Sequence, residues 1–170
     1  MGLPMQLTKY KMTTTMLSTA QIIKRYGQPT QSGSAYLVSV TLPYPMRLAW
    51  DKKTVIKTMR CHRLIAKALV LVFQDLLAHY GLKQLQDLGI DLFGGCFNYR
   101  QMRGGSDYSR HSWGIAIDLD PERNQLKETA KTARFARPES KPMIDIFYKH
   151  GFVSLGKEKN YDWMHFEIGS

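Results

Sequence analysis

The chain has 170 residues, 44% of them hydrophobic and three of them Trp, which is enough to bury one domain core and excludes a disordered chain. Its formal net charge of +10 favours contact with polyanions such as an anionic wall polymer or membrane leaflet, and says nothing about fold. Two cysteines, Cys61 and Cys96, exclude a disulfide-built scaffold, and without a CxxC pair they read as small core residues in a reducing compartment.

Residues 1–16, polar and rich in Met and Thr, read as a flexible N-terminal arm, and 17–170 as one domain. The opening residues lack the continuous apolar run of a signal peptide. The most apolar stretch, Leu64–Phe73, is interrupted by Lys67 and is too short to span a bilayer. A protein without a conventional export signal is expected. Cap-type residues at Ser18 and Thr19, with Gly27 and Pro29 beyond, predict a helix over 18–26. Residues 34–45 alternate as a strand ended by Pro43 and Pro45. The strongest periodic segment spans 51–81. It sets Leu64, Ala68, Leu71, Val72 and Leu76 on one helical face, includes Cys61, and stops at Gly81. A second short helix is predicted over 82–89, then a strand over 90–97 broken by Gly94 and Gly95. A loop over 98–109 leads to a strand over 114–119. A helix over 141–152 is stopped by Gly151, and a strand over 162–169 closes the chain. The mixed order argues for an α+β fold rather than a doubly wound parallel sheet. Basic residues are spread along the chain and form no recognised nucleic-acid motif, so no nucleic-acid partner is expected.

Two segments carry chemistry. In HSWGIAID, strand alternation sends Ile115 and Ile117 to one face, Ala116 and Asp118 to the other, and a loop brings in His111. Imidazole and carboxylate are both good zinc ligands. In DWMHFEI, alternation puts Met164, Phe166 and Ile168 on an apolar face, with Trp163, His165 and Glu167 opposite. His165 can supply a third ligand, and Asp162 can reach the open side of the metal. Three ligands with a free position suit a catalytic rather than a structural zinc, and a nearby carboxylate can then accept a proton from water. Arg100 and Arg103, in the loop before His111, are candidate cations for an oxyanion. Spacing alone does not show that Asp118 and His165 meet. Asp120 shares a face with Asp118, and Glu167 with His165. His62, His79 and His150 fall in helical segments and are not expected to touch metal.

Taken together, SRHSWGIAIDLDP and DWMHFE resemble the D-alanyl-D-alanine peptidase family of zinc enzymes (peptidase M15). That family also contains the L-alanyl-D-glutamate endopeptidases of bacteriophage lysis. Its pattern, SxHxxGxAxD followed by Asp or Glu three residues before a final His, is met by Ser109, His111, Gly114, Ala116 and Asp118, then by Asp162 and His165. Tyr99–Arg100 matches upstream. The resemblance covers roughly residues 55–168. It implies a small antiparallel sheet flanked by helices, of the hedgehog/DD-peptidase type. It also implies zinc bound by His111, Asp118 and His165, Asp162 as general base, Arg100 ahead of Arg103 as the substrate-holding residue, and Ser109 as a hydrogen-bonding neighbour of the metal. The implied substrate is the stem peptide of peptidoglycan. Cleavage of the L-Ala–D-Glu bond is expected ahead of removal of terminal D-Ala, because the chain is short, basic and unsignalled. By the same analogy it acts as a monomeric phage lysis enzyme, made in the host cytoplasm and released to the wall by a holin-type partner. A non-catalytic wall-binding or phage structural module is the remaining alternative.

Overall fold

The computed structural model describes residues 13–170. The arm expected over 1–16 therefore lies mostly outside the described residues. Within them, Thr14 Oγ1 donates to the Tyr148 carbonyl at 3.3 Å, and Thr15 exchanges backbone and side-chain hydrogen bonds with Ser170.

The elements run α1 (Thr19–Tyr26), β1 (Leu37–Leu48), β2 (Asp51–His62), α2 (Ala66–Leu88), β3 (Leu92–Gly95), β4 (Ala116–Leu119), α3 (Lys141–Lys149), β5 (Phe152–Ser154), α4 (Leu155–Lys159) and β6 (His165–Ile168), with short 3-10 turns between. One six-stranded sheet has the order β2-β1-β3-β4-β6-β5. The fold is α+β, as the mixed order of elements predicts. The sheet is not wholly antiparallel: β3 lies parallel to β1, through Arg47↔Leu92 and Leu48↔Phe93. A fork of hydrogen bonds from Arg47 to the fully buried Asp91, at 2.6 and 2.9 Å, pins that pair.

Several local features follow the chain's chemistry. Ser18 caps α1 in a reciprocal box with Gln21. β1 does not end at its prolines but runs through them. Pro43 and Pro45 sit where the β1–β2 register shifts between Thr41 and Met46, a bulge in which missing N–H donors cost no ladder bond.

The long helix expected over 51–81 is two elements. Residues 51–62 form β2, because Val38↔Cys61 and Val40↔Met59 pairing turns Met59 and Cys61 inward and leaves Thr58 and Arg60 outside. Cys61 is thus a strand residue, buried and free like Cys96. The helix begins at Ala66 and breaks at Gly81, which takes the non-helical φ 73° as the glycine stop predicts; the second short helix expected over 82–89 follows at once, counted here with α2, and its fully buried Leu85 holds it to the core. β5 and α4 had no distinct sequence signal.

The core lies between the sheet and its helices. Leu69, Val72, Phe73 and Leu76 of α2 pack with Leu42, Tyr44 and Met46 of β1, and Tyr44 meets Phe73 edge-on at 5.7 Å. Phe147 of α3 stacks on Phe166 of β6, centroids 4.0 Å apart. Burial of each such side chain stabilises the fold by about 1.5–3 kcal/mol. No helix among the described residues is long and apolar enough to cross a membrane.

Candidate metal centre

β4 and β6 pair antiparallel with Asp118 opposite His165 and Ala116 opposite Glu167. Residues opposite one another share a face, so the register places the two candidate ligands side by side. His165 Nδ1 lies 3.1 Å from Asp118 Oδ1, and its Nε2 lies 3.2 Å from Glu167 Oε1.

The third residue arrives on a 3-10 turn, Arg110–Trp113. Ser109 caps it, its Oγ accepting from the His111 N–H at 3.3 Å. Gly114 ends the turn at φ 68°, where a Cβ would lie 3.0 Å from the His62 backbone nitrogen and 2.7 Å from Leu37, so glycine alone fits. His111 Nδ1 sits 2.8 Å from the Cys96 carbonyl. A carbonyl only accepts, so Nδ1 carries a hydrogen, and Nε2 is the nitrogen left for a metal. That Nε2 is buried without a hydrogen-bond partner, 3.2 Å from Asp118 Oδ2.

The three ligand atoms lie within 4.8 Å of one another. An orphaned imidazole nitrogen, a carboxylate and a second imidazole nitrogen, converging at that spacing, fit a zinc ion. The electrostatics agree. Burial disfavours charge on His165, but hydrogen bonds and charge from Asp118 and Glu167 prevail and push its pKa up to about 10. Burial likewise opposes charge on Asp118, yet His111 and His165 hold its carboxyl well below the usual range. Two acids around one ring demand positive charge, which a proton meets in the metal-free chain and a divalent cation meets more strongly.

The cluster floors a cleft of about 500 Å³ that also takes in Arg100, Arg103, Asp162 and an apolar wall including Leu126, Tyr161 and Met164. Asp162 is turned back on the cleft by a left-handed backbone, φ 53°. Its N–H donates to the Leu126 carbonyl and its carbonyl accepts from the His165 N–H. Burial, reinforced by the Asp118 charge, raises its pKa, against the pull of His165, His111 and Arg100. Arg100 and Arg103 are both exposed on the rim.

The face assignment made from alternation fails just before the last strand. β6 starts only at His165; Trp163 packs against Gly156, where a Cβ would overlap its ring, and Met164 faces the cleft rather than the core. Asp120 is not part of the site: it is buried, at φ 44°, and accepts from Arg123 at 2.7 Å. None of the other three histidines lines the cleft. His62 ends β2, not a helix, and is stacked on Tyr36; His79 lies in α2; His150 follows α3 and meets Asp75 at 2.7 Å.

Arg110 is a cleft residue that sequence reasoning passed over. Its guanidinium donates to Thr19 Oγ1 and the Leu17 carbonyl, and its Nε lies 3.4 Å from Glu167 Oε2. Its place between Ser109 and His111 was visible; its partners, some ninety residues upstream, were not.

A family model described as D-alanyl-D-alanine carboxypeptidase matches residues 103–168. The matched segment holds His111, Asp118, Asp162 and His165 and stops short of Arg100. It supports kinship with the zinc peptidases that act on peptidoglycan. No curated protein and no solved structure matches the chain.

Proposed function

We propose that this protein is a zinc-dependent peptidase of peptidoglycan stem peptides that cuts the L-Ala–D-Glu bond. The observation that carries the reading is the convergence of His111, Asp118 and His165 on one point of a cleft that also holds the half-buried carboxyl of Asp162.

His111, Asp118 and His165 would hold the metal, through His111 Nε2, a carboxylate oxygen and His165 Nδ1. Zinc in such a site supplies Lewis acidity, polarising a carbonyl and making water nucleophilic at about pH 7. The chain's own groups do the rest. The Cys96 carbonyl fixes the His111 tautomer, and Glu167 accepts from the far nitrogen of His165, so each ring aims a lone pair inward. Asp162 takes the proton of the attacking water and returns it to the leaving amine. Its raised pKa makes it a stronger base than an ordinary aspartate. Arg100, on the rim, pairs with a substrate carboxylate, with Arg103 as the second candidate.

Terminal D-Ala removal is the second reading, favoured by the description of the matching family. Both bonds leave a free carboxylate on the residue after the scissile amide, so an arginine serves either. We further read the chain as a monomeric phage lysis enzyme that reaches the wall through a holin-type partner and is held there by its +10 charge.

The test is mass spectrometry of digested peptidoglycan, with and without chelator. Chelator-sensitive fragments with a free N-terminal D-Glu are expected. Loss of only terminal D-Ala would install the carboxypeptidase reading, and no cleavage would leave a binding or structural module.

A further inference from the structure

A second depression of about 370 Å³ lies against β1, β2 and β3, and nothing in the fold calls for its composition. Its walls carry Trp50, Phe93 and Phe97, with Arg60, Ser39 and Thr58 among them. Trp50 is 67% exposed, whereas Trp113 and Trp163 are 1% and 8% exposed. It stands at the β1–β2 turn, held beside β3 by the Ala49 N–H donating to the Phe93 carbonyl at 2.9 Å; its ring lies 6.5 Å from that of Phe93. The Arg60 guanidinium sits over the Phe97 ring at 5.7 Å.

The groove abuts the metal centre. Gly95, on its floor, is the register partner of Asp118 across the β3–β4 pair. Cys96, also on the floor, gives the carbonyl that orients His111. A Cβ at Gly95 would meet nothing within 4 Å, so the groove is open above this strand, one strand away from Asp118.

Resting on the peptidase reading above, we infer that this groove is a saccharide subsite that takes the muramic-acid end of the glycan strand to which the stem peptide is attached. Aromatic faces carry partial negative charge and suit the apolar, C–H-bearing face of a sugar ring, while hydroxyls and an arginine suit its polar edge. The spacing decides which bond is compatible. Each extended residue spans about 3.5 Å, so the L-Ala–D-Glu amide lies one residue from the sugar and the terminal D-Ala amide lies about 14 Å away. A sugar groove one strand from the metal suits the first bond and not the second.

The test compares kcat/KM for a muropeptide bearing the N-acetylglucosamine–N-acetylmuramic acid disaccharide with that for the bare stem peptide, in wild type and in Trp50→Ala. Wild type favours the muropeptide. Trp50→Ala lowers that preference by about tenfold, the size expected for one lost aromatic contact, and misfolded protein cancels in the ratio. An unchanged ratio overturns the proposal. A second measurement does not depend on cleavage: titration with the disaccharide alone shifts the indole N–H resonance of Trp50. No shift overturns the proposal, and so does a shift produced only by phosphatidylglycerol vesicles, which would make the groove a membrane contact. If wild type cuts neither substrate, the peptidase reading falls while the titration still decides the groove.

Discussion

On one face of the β4–β6 pair Ile117 lies opposite Phe166, both fully buried, and Phe166 stacks on Phe147. On the other face, one residue along, Asp118 lies opposite His165, with Glu167 beside it. The backbones are the same and the chemistry is opposite. The apolar face stabilises by area removed from water and is indifferent to pH. The polar face gathers two carboxylates around one imidazole, an arrangement that is favourable only while a cation occupies it. Stability is concentrated on the first face and the candidate metal ligands on the second, separated by the period-two alternation of a strand.

The sharpest way to break this contrast is to substitute one residue on each face. His165→Ala is expected to abolish metal binding and reduce turnover by about 10⁴-fold or more, since it removes a proposed ligand of the metal proposed to activate water. Phe166→Ala is expected to lower folding stability by about 3–5 kcal/mol while the protein that remains folded still binds metal. Metal content by elemental analysis and unfolding curves read both. Wild-type zinc in His165→Ala would break the ligand assignment.

Asp162→Asn comes next. It keeps the shape of the side chain and the proposed metal ligands but removes the proposed base, so turnover is expected to fall by about 10²–10⁴-fold with zinc content intact. An undiminished cleavage rate would remove Asp162 from that role.

The smallest effect is on pH dependence in the chelator-treated protein. His165 has its folded pKa raised from 6.5 to about 10. The stability this confers is fully present below pH 6.5 and is lost as pH rises towards 10. Asp118 is depressed, so its contribution is present above pH 3.8 and is lost on acidification below that value. The metal-free chain is therefore expected to melt lower at pH 9 than at pH 6, by roughly 3 °C for each kcal/mol involved. Zinc should remove that slope, because its binding displaces the proton. Thermal scans with and without zinc check this, and equal slopes would place the proton elsewhere.

Much of this contrast was legible in the residues. The α1 cap at Ser18, the β4 alternation and the SxHxxGxAxD spacing are local patterns, and local chemistry decides them. β2 was misread because Val55, Ile56 and Met59 recur at spacings that also suit a helix. Only pairing with β1 makes residues 51–62 a strand. The same limit explains Met164 and Trp163: alternation holds inside a strand, and β6 begins one residue later, where Asp162 folds the chain back at φ 53°.

The sequence by itself determined the donor types, the faces taken within β4 and β6 and the α+β class, because these follow from side-chain chemistry and from repeats of two or a few residues along the chain. The tertiary structure alone decided who meets whom. The Asp118–His165 register spans 47 positions, the Cys96 carbonyl selects the His111 tautomer, and Arg110 reaches back to Leu17 and Thr19. Such contacts form only when distant segments are closed onto one core, and no local pattern encodes that closure.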